Sequence, residues 1–335
     1  MNKEGISVLL CTYNGKSKLS PTMEHLFNQK GLENVNWEIL IIDNASVDGT
    51  SEWLKEYIND CGNSDKISLL YESTAGKLAA IKLGVSKAKY QYLLICDDDN
   101  WLANDYLIKG YNIFKNNPKI GVVGGNGRPS SNLQIPNWLI PHLHNYAAAP
   151  QQPFSADVTN SIGSVYGAGM FIRKEIYTIA FTINWPLFLT GLRNGNNLLS
   201  GEDTEICYVA IILGYRIFYS DDIKFEHYIS SYKMDLTYLF RLFHLFGYAN
   251  AVLYPYDSND SLKNNYVFKI FVEIYRLVKY NLIKKKTTNY ISHKKAYKFR
   301  LGYIKGLLFN YSKIHQLKTF LKQFDASTPH YFKQR

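Results

Sequence analysis

The sequence has no long hydrophobic run. None of its apolar stretches approaches the ~18 or more residues of a membrane-spanning helix, and the most apolar late stretch, residues 236–256, contains Arg241 and His244. The first residues lead directly into strand-like sequence, without the pattern of a signal peptide. We therefore expect a cytoplasmic protein, either free in the cytoplasm or bound peripherally to the inner face of the cell membrane.

Cysteines are few and have no recognisable pattern. The four in the chain include no pair with metal-binding spacing and no disulfide framework. Cys11 and Cys96 lie in apolar, strand-like runs, which predicts buried thiols. The glycine motifs that cradle phosphates in dinucleotide-binding and P-loop proteins are also missing after the first predicted strand, which argues against both of those classes.

Acidic residues are nearly absent from the end of the chain. Residues 261–335 contain 17 Lys or Arg against only Glu273 and Asp325, so their net charge of +15 leaves −5 for the first 260 residues. Tyr, Phe and Leu alternate with these cations, as in helices that lie on anionic membranes. We expect a helical, basic region at 235–335 that binds an anionic membrane surface. A solvated helical face is the alternative, and no nucleic-acid partner is expected.

Strand-like and helix-like segments alternate through the first half of the chain. The patterns predict strands at residues 6–11, 37–42, 67–71, 92–97 and 120–123. They predict helices at about 20–29, from an N-cap at Thr50, around 78–85, and at about 102–114. This alternation predicts an α/β fold with a mostly parallel central sheet flanked by helices, in which ligands bind at the carboxyl ends of strands.

The run at 92–96 ends in three consecutive carboxylates, Asp97, Asp98 and Asp99. Carboxylates this close raise one another's pKa unless a cation compensates them, and their unpaired burial is unfavourable. Asn14 and Asp43 follow other predicted strands at the same edge of the sheet. This convergence favours a ligand site there, with a solvated acidic turn as the alternative.

The second half of the sequence alternates loops with shorter elements. Residues 128–153 are rich in proline and predict a long loop over the sheet. The remaining predictions are a strand at 165–172, a polar loop at 190–200, a helix that follows Gly201-Glu202-Asp203-Thr204-Glu205 and stops at Gly214, and short strands at 216–219 and 223–225.

Five segments resemble, in order and spacing, motifs of the family 2 glycosyltransferases, which have the GT-A fold. They are ISVLLCTYNG, WEILIIDNASVDGT, YLLICDDDNWL, VYGAGMFIRKE and LLSGEDTEICYVAIILGYRIFY. The resemblance implies inverting transfer of a sugar from a nucleotide sugar, most often a UDP-sugar, to an acceptor hydroxyl. It implies a GT-A domain over 1–234, with a nucleotide-sugar-binding part at 1–125 and an acceptor-binding part at 126–234, before the basic region.

The resemblance assigns the donor-binding residues position by position. Thr12, Tyr13 and Asn14 match the family's first nucleotide loop. Asp43 matches its base- or ribose-binding aspartate.

The aspartate triplet matches the family's Asp-x-Asp motif, in which the last aspartate holds the metal. On an extended backbone Asp97 and Asp99 point to one side and Asp98 to the other. We therefore expect Asp99 to ligate Mn²⁺ or Mg²⁺ and Asp97 to contact the ribose or the metal through water. Asp98 is expected to be partly structural within the donor site. His227 falls where many members place a histidine near the metal; a structural histidine is the alternative.

One segment departs from the family pattern. Where the family commonly has Ala-Arg-Asn-x-Gly before the Asp-x-Asp strand, this chain has Ala-Ile-Lys-Leu-Gly at residues 80–84. We expect Lys77 or Lys82 to supply the missing positive charge, which leaves the nucleotide and the sugar undetermined.

Asp203 matches the aspartate of the family's Glu-Asp pair, which is usually the catalytic base, and Glu202 is the second candidate. An acceptor hydroxyl has a pKa far above neutral and needs a base within hydrogen-bond reach. The alternative is that both acids only stabilise the start of a helix.

The implied acceptor is a glycan or a lipid-linked glycan in cell-surface polysaccharide synthesis. Two other functions stay open. A metal-dependent nucleotidyltransferase also binds metal through carboxylates, but it gives no role to the Gly-Glu-Asp segment. A catalytically silent glycan- or nucleic-acid-binding protein is disfavoured by the intact sets of acidic residues.

Overall fold

The computed structural model describes residues 3–60, 64–191, 193–194, 197–198, 200–256, 266–284 and 290–327. The described residues form two compact units, of which the first comprises 3–184 with 206–229 and the second 185–205 with 230–327. The divisions expected at 125 and 234 stay predictions.

The first unit contains a nine-stranded sheet. The strands of the chain are β1 (Lys3–Thr12), β2 (Trp37–Asp43), β3 (Ile67–Tyr71), β4 (Tyr90–Asp97), β5 (Asn100–Leu102), β6 (Ile120–Pro129), β7 (Ala156–Asp157), β8 (Met170–Arg173), β9 (Arg193–Asn194), β10 (Asn197–Leu198) and β11 (Arg216–His227). The sheet order is β3-β2-β1-β4-β8-β6-β11-β5, with β7 on β11. Strands β3, β2, β1 and β4 are parallel, as are β6 and β11. This confirms the predicted α/β fold.

Helices flank the sheet and form most of the second unit. They are α1 (Leu19–Phe27), α2 (Thr50–Asp60), α3 (Lys77–Lys87), α4 (Tyr106–Asn116), α5 (Lys174–Thr182), α6 (Glu202–Ile212), α7 (Leu236–Leu253), α8 (Tyr266–Lys284), α9 (Tyr290–Phe309) and α10 (Tyr311–Ser327). Among the described helices, none is both long and apolar enough to cross a membrane.

The core of the first unit explains why its strands could be predicted from the sequence. Val8 and Leu10 of β1, Ile41 of β2 and Leu94 of β4 are buried in one cluster with Phe114 of α4. A strand covered on both faces is apolar at successive positions, and parallel strands are normally covered in this way.

The end of β4 differs from the prediction. The chain turns after Asp97 and forms the short strand β5, so the helix expected from 102 begins at Tyr106. Strand β5 pairs antiparallel with β11, and Asn100 stands opposite His227. A three-residue strand has too little periodic signal to be recognised from sequence alone.

Two other strands have different lengths from those predicted. Strand β8 begins only at Met170, because Gly169 before it adopts φ +67° and interrupts the extended backbone. The two short strands expected near 216 and 223 are the single strand β11, whose pairing with β6 shifts register between Tyr219 and Lys224.

In the second unit, α7 and α9 pack with their backbones in contact. A Cβ atom on Gly302 of α9 would overlap the carbonyl oxygen of His244, and one on Gly247 of α7 would overlap that of Phe299. Trp185 is also in the core of this unit, where its Nε1 donates to the Tyr256 hydroxyl at 2.9 Å.

Candidate functional site

The loop after β1 is held by side chains from two other segments. The Thr12 hydroxyl donates to Asp98 Oδ2 at 2.8 Å. Asn14 adopts φ +51° and accepts the Val47 N–H at 2.9 Å through Oδ1. Thr50, predicted as a helix cap, is the first residue of α2, and its hydroxyl accepts the Gly15 N–H at 3.0 Å. These contacts hold the loop in place.

Asp43 and Tyr13 are placed very differently from one another. Asp43 is fully buried at the end of β2, where Oδ1 accepts the Ser46 N–H at 3.1 Å and Oδ2 accepts the Ser51 hydroxyl. Tyr13 is 42% exposed beside the same strand ends. A nucleotide role for either residue stays a prediction.

The three consecutive carboxylates face three different partners. Asp97 Oδ1 lies 2.5 Å from Lys77 Nζ. Asp98 accepts from Thr12, and its Oδ1 lies 3.6 Å from Lys18 Nζ. Asp99 Oδ1 lies 3.3 Å from His227 Nε2. The three carboxylates therefore have separate partners, although they are consecutive in the chain.

Asp98 is the member of the triplet that holds the loops together. Besides its carboxylate contacts, its backbone oxygen accepts the Thr22 hydroxyl at 2.9 Å. Burial raises the pKa of Asp98, and the charge of Asp99 raises it further, whereas Lys18 and Thr12 oppose the shift. The contacts of Asp98 thus join the turn after β4 to the loop after β1 and to α1, and its role in the donor site stays a prediction.

The pairing of β5 with β11 places His227 next to Asp99. The Tyr228 N–H donates to the Asp99 backbone oxygen at 2.9 Å, which continues the ladder beyond the strands. His227 Nδ1 is buried and has no hydrogen-bond partner among the described residues. The backbone pairing of β5 with β11 therefore sets the position of His227, and its Nε2 points at the Asp99 carboxylate.

The Asp99–His227 pair fits a divalent cation with additional ligands from a substrate. No group of three or more His, Cys, Asp or Glu side chains arranged for a metal occurs in the described part of the chain. Mg²⁺ and Mn²⁺ bind through one or two carboxylates together with substrate phosphate oxygens and waters, and Mn²⁺ also accepts imidazole. A carboxylate oxygen and an imidazole nitrogen 3.3 Å apart suit that arrangement.

Lys77, and not Lys82, lies at the aspartates. The side chain of Asn44 positions Lys77, because Asn44 Oδ1 accepts the Gly76 N–H at 2.8 Å immediately before α3 begins. Asn44 Nδ2 also donates to the Thr74 oxygen at 2.7 Å. Lys82 Nζ instead lies 5.7 Å from the centre of the Phe181 ring.

The second unit contains the other acidic cluster. Asp203, half-buried in the first turn of α6, accepts the Thr204 N–H at 2.8 Å. Glu202 Oε2 accepts the Gly201 N–H at 3.0 Å. Glu205 is 1% exposed and accepts the N–H groups of Phe188 and Leu189. Burial raises the pKa of Glu205 to about 7.

Two residues of the site were not recognised in the sequence. Asn44 follows Asp43 and resembles any polar residue in a turn. Trp101 stacks on His25 and Tyr228, with ring centroids 6.0 and 5.7 Å apart, and so supports the turn that carries Asp99. Only its position two residues after the acidic triplet could have suggested this role.

Comparisons with known proteins agree with the motifs. The model of the family described as Glycosyl transferase family 2 matches residues 7–178, slightly more than half of the chain. Poly-beta-1,6-N-acetyl-D-glucosamine synthase of Staphylococcus aureus is 26% identical over 223 residues, which are 62% of this chain and 50% of that protein. The synthase of Staphylococcus epidermidis is 35% identical over 128 residues, covering 37% of this chain and 29% of that protein. The chain thus spans at most half the length of these relatives.

Solved structures with low sequence identity share the fold. Staphylococcus aureus TarS 1–349 in complex with UDP has a TM-score of 0.51 at 14% identity, over 92% of this chain and 91% of that one. A mannosyltransferase from Pyrobaculum calidifontis in complex with GDP-Man and Mn²⁺ has a TM-score of 0.56 at 13% identity, over 91% and 86%.

Proposed function

The chain belongs to glycosyl transferase family 2 and has the GT-A fold, and from this premise we propose that it is a metal-dependent inverting glycosyltransferase. One observation carries the proposal: two carboxylates, an imidazole and a lysine meet in pairs at the carboxyl ends of β4 and β11. Asp97 pairs with Lys77, and Asp99 with His227. A nucleoside diphosphate bound through a divalent cation needs such groups.

The donor in this proposal is a UDP-sugar, with UDP-N-acetylglucosamine the first to test. The curated relatives are N-acetylglucosamine polymer synthases, and the TarS structure holds UDP. Thr12, Tyr13, Asn14 and Asp43 would line the nucleotide, which enters at the strand ends. Lys77, 2.5 Å from Asp97, would supply the positive charge that the missing arginine provides in other members.

Asp99 and His227 would hold Mn²⁺ or Mg²⁺. When bound there, the cation would neutralise charge that develops on the departing diphosphate. Asp97 would contact the ribose or a metal-bound water, and Lys77 would balance its charge. Asp98 contributes by holding Thr12 and Lys18 in place.

Asp203 is the base in this proposal. Its carboxylate takes the proton of the acceptor hydroxyl while the hydroxyl oxygen bonds to the anomeric carbon. The bond between that carbon and the diphosphate oxygen breaks, and the nucleoside diphosphate leaves with the electron pair. Attack from the face opposite the leaving group inverts the configuration. Glu202 is the second candidate, although its carboxylate is engaged by the Gly201 N–H.

The acceptor would be a glycan or a lipid-linked glycan for surface polysaccharide synthesis, and the basic region would bind an anionic membrane surface. Helix α8 supports this membrane role. Five side chains on one of its faces are 41–64% exposed: Phe268, Phe271, Ile274, Tyr275 and Val278. Lys279 borders this face, with its Nζ 5.9 Å from the centre of the Tyr275 ring. An apolar arc edged by cations is typical of interfacial helices. Residues 285–289, which include two of the basic residues, lie outside the described residues.

The decisive experiment is a panel of nucleotide sugars with Mn²⁺ and a glycan acceptor, read by release of the nucleoside diphosphate. We expect UDP release from one UDP-sugar and its loss when the metal is chelated. Asp99→Asn should abolish release, whereas Asp65→Asn, an exposed aspartate before β3, should not.

The same panel tests the alternatives. A nucleotidyltransferase would consume a nucleoside triphosphate with a sugar phosphate and release pyrophosphate. A silent binding protein would release nothing from any donor. Either result would contradict the proposed transfer.

A further inference from the structure

A basic groove lies between α7 and α9 of the second unit. Its volume is about 520 Å³, within the usual range for small-molecule sites. Its lining residues are Leu236, Thr237, Phe240, Arg241, His244, Tyr290, Lys294, Lys298, Leu301 and Lys305. We call these residues the α7–α9 groove.

Charge in the groove has one sign. Arg241, Lys294, Lys298 and Lys305 are four of its lining residues, and no Asp or Glu is among them. Lys294 and Lys298 are four positions apart on α9, and Lys305 follows seven positions later, so all three lie on one helix face. Like charges at such spacing destabilise a helix, so an anion between them would be stabilising.

Two acids on segments that adjoin the groove have partners of their own. Asp235, just before α7, accepts the Thr237 N–H at 2.6 Å as the helix cap. Glu273 of α8 accepts from Arg276 at 2.6 Å and from Arg300 at 2.9 Å, and it lines a neighbouring groove together with Arg300 and Lys295.

His244 lies within this positive field. Burial lowers the pKa of His244, and the charges of Lys305 and Lys298 lower it further, whereas a hydrogen bond to the Lys298 backbone opposes the shift. Its Nδ1 is buried without a hydrogen-bond partner among the described residues. A bound anion would offset the charges of Lys305 and Lys298.

The backbone contact of the two helices holds the groove in shape. Gly247 and Gly302 let α7 and α9 approach closely, and this fixes the spacing between the cations of the two helices. Leu236, Phe240 and Leu301 add apolar surface beside the charges.

We propose that the α7–α9 groove binds the phosphate or diphosphate head of an amphiphile, with its apolar chain on Leu236, Phe240 and Leu301. Such a molecule is either the lipid carrier of an acceptor glycan or an anionic membrane lipid. This inference rests on the lipid-linked acceptor and the membrane surface proposed above and names the site that would bind them, but it does not depend on which donor is used. Arginine and lysine bind phosphate through charge-assisted hydrogen bonds, and the apolar wall selects amphiphiles over inorganic ions.

The test measures binding of farnesyl diphosphate to the full chain by calorimetry, with a metal chelator and in an Asp99→Asn background to keep the probe from the donor site. We expect the triple variant Lys294→Gln/Lys298→Gln/Lys305→Gln to lose on the order of 10²-fold in affinity. Its matched control is Lys55→Gln/Lys87→Gln/Lys119→Gln, which removes equal charge from exposed positions of the first unit and should bind normally.

Two further probes separate the components of the ligand. Farnesol should bind at least about 10-fold more weakly than farnesyl diphosphate, since it lacks the charged head. Equal affinity of the triple variant and the parent, or an equal loss in the control, would overturn the proposal, as would equal binding of farnesol.

Vesicles of phosphatidylglycerol in phosphatidylcholine separate the two sources. If the triple variant still binds vesicles but no longer binds farnesyl diphosphate, the ligand of the groove is the diphosphate of a lipid carrier. If it loses both equally, the ligand is the membrane headgroup. The UDP-release assay with the wild-type Asp99 chain is scored separately, so failure of the groove and failure of the donor site give different results.

Discussion

His227 Nε2 lies 3.3 Å from Asp99 Oδ1 because β5 and β11 pair antiparallel directly beside them. These residues are far apart in the sequence, and β5, the short strand that brings them together, cannot be predicted from the sequence pattern. This relationship leads to the first prediction.

Replacing His227 by Ala should weaken metal-dependent UDP binding by on the order of 10²-fold, since one of two proposed protein ligands is lost. Calorimetry with UDP, with and without Mn²⁺, measures this. His25→Ala is the control, because His25 lies on α1 and stacks on Trp101, which in turn stacks on Tyr228 next to His227. If both variants lose affinity equally, the effect comes from the Trp101 stack and not from the metal.

Asp203→Asn should lower kcat by about 10²- to 10⁴-fold with little change in the KM for the donor, because it removes the proposed base and not a donor contact. Steady-state kinetics of UDP release check this. Glu202→Gln, one residue earlier in the same turn, is the matched control and should keep most activity. Robust turnover in Asp203→Asn would eliminate it as the base.

Glu205 should make the free energy of unfolding depend on pH. Its pKa is raised from 4.5 to about 7 by burial, so the folded chain holds this proton more tightly than the unfolded chain does. Its contribution is therefore complete below pH 4.5 and is lost as the pH rises through 7, by about 3 kcal/mol in total. Urea unfolding from pH 5 to 8 should show a flatter profile for Glu205→Gln. A variant with the parent's slope would contradict this origin.

The contact between α7 and α9 predicts a graded effect of two substitutions on one helix. Gly302→Ala places a Cβ onto the His244 carbonyl, whereas Gly306→Ala places one 2.7 Å from the Ala251 Cβ and the Tyr248 oxygen. Both changes favour helix formation equally, by about 1 kcal/mol. We expect Gly302→Ala to destabilise by on the order of 3 kcal/mol and Gly306→Ala by clearly less. Thermal melting followed by circular dichroism compares them, and the reverse order would refute the close contact.

The exposed face of α8 should bind anionic vesicles. Phe271→Ser with Tyr275→Ser should reduce co-sedimentation with phosphatidylglycerol vesicles by at least about 10-fold, because each apolar side chain contributes about 2 kcal/mol on burial. The control pair, Tyr71→Ser with Phe154→Ser, removes aromatic side chains of similar exposure from the first unit. No sedimentation of the parent chain at low salt would end the membrane proposal.

Much of the first unit could be predicted from its sequence. Strands β1, β2 and β4 lie where their continuous apolar runs placed them, because burial on both faces leaves such runs. Residues such as Asn14, Asp43 and Asp97 were recognised as strand-end residues for the same reason. The resemblance to the family's motifs then indicated which chemistry these strand-end residues could perform.

Tertiary structure decided which of these residues face one another. Local sequence could not show that Asp98 turns to Thr12 and Lys18, because those contacts join loops distant in the chain. It could not choose between Lys77 and Lys82, since the choice depends on Asn44 holding Gly76.

The sequence by itself determined the fold class, the family and the basic character of the last helices. These depend on composition and on short-range patterns that burial and helix geometry impose. Only the tertiary structure decided that Asp99 meets His227 and that the cations of α7 and α9 share one groove. Such contacts arise where distant segments pair or pack, and their energies depend on distances that no local pattern specifies.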